Sequence, residues 1–279
     1  MKTILRILTL SFLLPLLLSC NPVSNDTDFD DPAFLQFAGR LTPKGVMPGT
    51  KASSSLLPVG SVTSIELTES GLYAIGIVTD EAGTIDYRTG KYSVTDNVYT
   101  LYSMGTLAFN NSVSGQVSLI YTPLFGETQQ IPAEFLKPKS TNKAFRTWTV
   151  EKTRLTVRGW TVVSADFKGC DLAEIAEFLR NNGNKAPEDV PNLSVSTITL
   201  TGTETMILGY SDNSAELNEF SLNGNVLTYT WADRPDGFTF ISDKAVIEYR
   251  DGKCLLTIDG YIRDSTTSGS VTFVLSPMD

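Results

Sequence analysis

Residues 216–231 read ELNEFSLNGNVLTYTW, and this stretch decides the fold. Leu227, Tyr229 and Trp231 alternate with polar neighbours, as the inward face of a strand does. Asn223-Gly224 interrupts the run with two residues that tolerate the positive φ of a type I′ turn. Glu216 to Leu222 and Val226 to Trp231 are therefore expected to pair as a hairpin. Asp251-Gly252 repeats the device between Ala245 to Tyr249 and Cys254 to Asp259. Working outward, Ser194 to Thr201, Thr205 to Tyr210, Phe238 to Ile241 and Ser270 to Leu275 read as further strands. Phe145 to Glu151 and Arg154 to Thr161 open this half of the chain.

One helix interrupts the strands, at about 171–182. Asp171 suits an N-cap, Leu172, Ile175, Ala176 and Leu179 recur at helical spacing, and Gly183 stands where a C-terminal cap is wanted. In the first half, Leu72 to Val78 reads as a buried strand and Tyr87 to Tyr92 as a hairpin. Val98 to Tyr102, Thr106 to Asn110 and Gln116 to Tyr121 continue a meander. Pro132, Pro138 and the polar run Lys139 to Lys143 read as a linker. The expected fold is mainly β, an antiparallel barrel or sandwich with one inserted helix, in two β subdomains at 59–137 and 144–279.

The beginning of the chain has a different character. Lys2 and Arg6 precede an apolar stretch from Leu8 to Leu18 that is too short to span a membrane. It stops at Leu17-Leu18-Ser19-Cys20, which resembles the lipobox of bacterial lipoproteins. The resemblance implies a signal peptide over 1–19, lipidation of the Cys20 thiol, and cleavage before it. Several acyl chains on one cysteine anchor durably, where a single chain does not. Asp26, Asp28, Asp30 and Asp31 follow, resembling the acidic export signal of Bacteroidetes-type surface lipoproteins. That likeness implies display on the outer face of the outer membrane; a plain solvated tether is the alternative. Asp26-x-Asp28-x-Asp30 also opens like an EF-hand loop, but Asp31 and Phe37 stand where that loop needs glycine and glutamate. Pro, Gly and Ser recur to Pro58, so 20–58 reads as anchor and flexible tether, with little regular structure.

Composition narrows the chemistry. The 279 residues carry a formal charge of −9, which becomes −11 once Lys2 and Arg6 leave with the signal. So acidic a surface opposes nucleic acid and anionic lipid. The chain has no histidine. This excludes Ser-His-Asp and Cys-His hydrolysis, His-ligated zinc and haem, and the usual general base near neutral pH. No cofactor, metal site or catalytic residue is assigned. A carboxylate-dependent polysaccharide hydrolase and an accessory subunit of an outer-membrane complex stay open as alternatives to a binder of a glycan, a small apolar molecule or a partner protein.

Cys170 and Cys254 are expected either to join in a disulfide or to lie as two buried free thiols. Trp148 and Trp231 read as core, whereas Trp160, beside Gly159 and between polar neighbours, is the candidate for stacking a ligand ring. Glu204, Asp212, Glu216 and Glu219 form the densest acidic cluster of the second half, read as solvated turns and strand edges. Asp264-Ser265-Thr266 resembles an O-glycosylation sequon of exported Bacteroidetes proteins, and an exposed loop explains it equally. The second half also resembles lipocalin-like domains, in Trp148 on its first strand and one helix among antiparallel strands. It lacks the family's Gly-x-Trp, since Phe145-Arg146-Thr147-Trp148 has no glycine.

Overall fold

Strand propensity and alternation act along almost the whole chain, and the sheet closes on itself. The computed structural model describes residues 39–43, 57–111, 116–138, 142–182, 190–230, 240–241, 244–262 and 268–278. The first half supplies β1 (Gly39–Pro43), β2 (Val62–Leu67), β3 (Leu72–Val78) and β4 (Ile85–Thr95). β5 (Val98–Leu101), β6 (Gly105–Asn111), β7 (Gln116–Pro123) and β8 (Gln129–Leu136) complete it. Each pairs antiparallel with the next, and β8 pairs back onto β1, where Arg40 faces Leu136 and Pro43 faces Ala133. The result is an eight-stranded up-and-down barrel. At this strand number side chains just fill the interior. Leu41, Ile65, Ile75, Leu107 and Leu119 pack there with Tyr73, Tyr92, Tyr99 and Tyr121. Buried tyrosines need partners for their hydroxyls. Tyr92 Oη donates to Thr68 O (3.1 Å) and Tyr121 Oη to Met104 O (3.0 Å).

The second half supplies β9 (Thr147–Arg158), β10 (Val162–Lys168), helix α1 (Leu172–Asn181), β11 (Val195–Leu200) and β12 (Thr205–Tyr210). β13 (Ser214–Asn223), β14 (Val226–Thr230), β15 (Phe240–Ile241), β16 (Lys244–Arg250), β17 (Lys253–Ile262) and β18 (Ser268–Pro277) follow. Here too the antiparallel pairings close: β9 to β11 to β12 to β13 to β14 to β16 to β17 to β18, and back to β9. β10 extends the outer part of β9, and β15 adds to β17. α1 lays Leu172, Ile175 and Leu179 on this second core, and Asp171 caps it by accepting from the Ala173 and Glu174 N–H groups (2.9 and 3.0 Å).

Several sequence expectations need correction. β1 lies inside the segment read as tether, because Leu41 fills the barrel and its neighbours close the ring. Tyr87 to Tyr92 is no hairpin but the middle of the long β4, paired with β3 up to Lys91 and with β5 from Tyr92. Pro132 stands in β8, not in a linker; β1 has already ended beside it, so the missing N–H breaks no ladder on that edge. Phe145 to Glu151 and Arg154 to Thr161 merge into β9, and the partner that turns back on them is β10. The hairpin at Asn223-Gly224 forms, but its two turn residues are Gly224 and Asn225. Gly224 (φ 64°) leads, the glycine-first placement of type II′. Asp251 and Gly252 take positive φ together (52° and 74°), as type I′ requires. Cys20, Asp26, Asp28, Asp30, Asp31, Trp231, Gly183 and Asp264 to Thr266 lie outside the described residues.

Side by side, the barrels join along a polar seam. Arg88 and Tyr87 of β4 pair with Ser214 and Ala215 of β13. Nearby, Thr89 N–H donates to Asn213 O (3.1 Å) and Thr147 N–H to Ser70 Oγ (2.9 Å). Glu66 lies in the middle, 0 % exposed, on the outer face of the first barrel. It accepts from Thr203 Oγ1 and from Thr205 Oγ1 (3.0 Å) of the second barrel. Arg40, its cross-strand partner, reaches over to Glu219 (3.2 Å).

Candidate functional site

A strand that stops early creates a sizeable opening. β5 pairs with β4 only from Tyr92 to Thr95, and Tyr102 N–H then bonds Lys91 O (3.1 Å). β4 continues another six residues to Ile85 with β3 on one side. On its other side β4 meets only the start of β13 and the turn before it, and between β4 and the β5–β6 turn lies a cleft of about 640 Å³. That volume falls in the range of ligand pockets, and barrel mouths are a usual place for them. Tyr73 and Ile77 line its apolar part, Asp86 and Arg88 its polar part, and Tyr102 and Met104 its rim. The second barrel contributes Asp212 and Asn213 from the β12–β13 turn.

Local sequence explains each position. Gly90 admits the Tyr73 ring, since a Cβ there would stand 2.8 Å from Tyr73 Oη. Tyr73 in turn donates to Tyr102 O (2.7 Å), tying the floor to the rim. Arg88 and Asp86, two apart on one strand, share a face. Arg88 donates from Nε (3.0 Å) and Nη2 (2.5 Å) to Asp86 Oδ2. Asp212 Oδ1 accepts from the Ser214 N–H (2.9 Å) and from Ser214 Oγ, which shapes the turn that carries it. Ser103 (φ 69°) and Gly105 (φ 130°) make the tight β5–β6 turn; a Cβ on Gly105 would meet Thr122 O at 2.1 Å.

Apolar groups border the opening on the side of the β5–β6 turn. Tyr102 is 53 % exposed and its hydroxyl meets Ser93 Oγ (3.3 Å). Leu124 N–H donates to Met104 O (3.1 Å), which brings the β7–β8 turn beside the cleft with Phe125 93 % exposed at its tip. In an up-and-down barrel alternate connections fall at opposite ends. The cleft therefore opens among the β3–β4, β5–β6 and β7–β8 turns, at the end opposite the start of β1.

The carboxyl groups most perturbed by their surroundings lie outside the cleft. Burial pushes Glu66 up to about 7, against the hydrogen bonds from Thr203 and Thr205 and the charge of Arg40. Burial likewise raises Glu69, whose Oε1 accepts from Gly202 N–H (3.2 Å). Glu216, expected as a solvated strand edge, shares the inward face of β13 with Phe220 and accepts from Tyr210 Oη (3.1 Å). Its burial raises it to about 7. The reading of Glu216 as a solvated strand edge is thus corrected. Period-2 counting along Leu217 and Leu222 left the face of β13 ambiguous, and Phe220 was the available signal.

The other sequence candidates fall elsewhere. Trp160 is fully exposed (104 %) in the β9–β10 turn, beside exposed Val162, and does not line the cleft. Trp148 is core, its Nε1 donating to Ala144 O (3.0 Å). Cys170 and Cys254 are both free and buried, so the disulfide alternative gives way to two thiols. Cys170 lies against Thr153 of β9, while β18 intervenes between β9 and the strand of Cys254. Burial pushes both thiols up to about 12. Thiol reagents should therefore leave both unmodified in the folded protein and label both in denaturant, as read by intact mass. Reductant should leave the melting temperature unchanged.

Against known proteins, the chain matches no family and no curated sequence.

Proposed function

We propose that this is a lipid-anchored cell-envelope protein, displayed on the outer membrane surface, that binds a ligand in the barrel-mouth cleft without turning it over. The observation that carries the reading is the place of the cleft. It opens at the end of the first barrel opposite the start of β1, the end farther from the segment that would carry the Cys20 anchor. The lipobox-like Leu17 to Cys20 and the acids Asp26, Asp28, Asp30 and Asp31 support anchoring and outward display. The distribution of acids supports binding over hydrolysis. Polysaccharide cleavage by a carboxyl pair needs one group that keeps its proton near neutral pH. Glu66 and Glu216 have that property, but they are engaged in the seam and the second core. In the cleft, Asp86 is committed to Arg88 and Asp212 to its own turn.

The test joins fractionation with product analysis. Wild-type protein should carry acyl chains by mass and sediment with membranes, and Cys20→Ala should release it or leave it unprocessed. Incubated with polysaccharides, the purified protein should retard their ligand in affinity electrophoresis and yield no new reducing ends. Turnover abolished by Asp86→Asn, Asp212→Asn or Glu216→Gln would replace the binder with the hydrolase.

A further inference from the structure

We infer that the cleft takes a neutral carbohydrate, seated with a sugar ring against Tyr102 and its hydroxyls on Asp86 and Arg88. The inference rests on the cleft being the binding site and adds the chemical class of what fills it. Three features select the class together.

The first is charge. Asp86 and Asp212 face the cleft along with Arg88 and Lys91, two acids against two bases. An anionic ligand would meet two carboxylates there, and a cationic one a guanidinium and an ammonium. A neutral ligand rich in hydroxyls avoids both penalties. Each hydroxyl is at once donor and acceptor. It can therefore donate to a carboxylate and accept from a guanidinium. Asp86 and Arg88 offer those two functions side by side on one strand, already oriented by their own bonds.

The second feature is the apolar surface beside that pair. Tyr73, Ile77 and Met104 form an apolar lining, and the half-exposed Tyr102 ring stands at the entrance. A pyranose has this same division, with C–H groups on its ring faces and hydroxyls around its edge. A purely apolar ligand would strand the Asp86–Arg88 pair away from water, at the cost of burying a charged pair without new partners. The third feature is shape. The cleft is open to solvent beside a continuing apolar rim at Leu124 and Phe125, which leaves room for a chain to pass out of the site.

Isothermal titration with defined oligosaccharides tests this. Maltohexaose, cellohexaose and mannohexaose are the neutral probes, oligogalacturonate the acidic one and a chitosan oligomer the cationic one. At least one neutral probe should bind, with neither charged probe competing. Tyr102→Ala and Asp86→Asn should each weaken that binding about tenfold or more, equivalent to 1.4 kcal/mol. Both side chains are partly exposed, and unchanged melting curves would show that the variants fold. Trp160→Ala should leave binding unchanged. Cleft-dependent binding of the acidic or cationic probe overturns the class while keeping the site. Neutral binding lost in Trp160→Ala and intact in Tyr102→Ala overturns the site. Absence of binding to all three neutral probes at millimolar concentration also overturns the class.

Discussion

Glu66→Leu is expected to destabilise the protein by about 3–5 kcal/mol, the cost of orphaning buried polar partners. The carboxyl is fully enclosed, and it is the acceptor for two hydroxyls of the other barrel. Leucine fills the space but leaves the Thr203 and Thr205 hydroxyls without that acceptor and Arg40 without its cross-strand charge. Urea unfolding followed by tryptophan fluorescence measures the loss. Glu66→Gln is the informative companion, because it keeps the shape and one acceptor oxygen, and should stay within about 1 kcal/mol of wild type. If leucine were tolerated as well as glutamine, the seam would owe nothing to this side chain.

The same residue fixes how stability varies with pH. In the folded protein Glu66 titrates at about 7, against an ordinary value of 4.5. Between those values the folded state holds a proton that the unfolded chain has released. Stability is therefore fully present below about pH 4.5 and is lost as pH rises through 7, by about 3 kcal/mol at most. Glu216 acts in the same direction. Most proteins gain stability over this interval as their carboxylates ionise, so the expected slope from pH 5 to 8 is opposite to the common one. Glu66→Gln should flatten it. A slope unchanged by that substitution would assign it to other groups.

The second large effect separates two tryptophans that sequence alone had already set apart. Trp148 is 3 % exposed, tied to Ala144 O and tilted against the Tyr249 ring at 6.2 Å. Trp148→Ala should cost about 3–5 kcal/mol through lost burial and the cavity left behind. Trp160 touches solvent on all sides, and Trp160→Ala should fall within about 0.5 kcal/mol of wild type. Equal losses in denaturant titrations of the two variants would contradict the placement of the β9–β10 turn.

How much of this was legible follows from which interactions are local. Alternation at Leu227 and Tyr229, the turn at Asp251-Gly252 and the spacing from Leu172 to Leu179 are properties of neighbouring residues, and they named the strands and the helix. Closure is not local. That β8 returns to β1, and β18 to β9, depends on pairings across nearly 100 and more than 100 residues that no window contains. The cleft was illegible for the same reason. Tyr87 to Tyr92 looked like a turn because of Thr89-Gly90, whereas Gly90 serves a close approach to Tyr73, a contact made only across the sheet. Glu66 was hidden too, since in sequence an outward residue of a strand looks solvated, and only the second barrel buries it.

β1 has a mechanical consequence. It is the first strand of the barrel and is held on both edges, with Gly39 to Leu41 against β2 and Arg40 to Pro43 against β8. A pull applied to the chain before Gly39 and directed along the strand strains both ladders at once, in shear, so their hydrogen bonds must yield together. The same pull directed sideways would peel them one after another. Traction along β1 thus meets the geometry that resists it best. Removing those five residues would leave the barrel an open sheet with two raw edges.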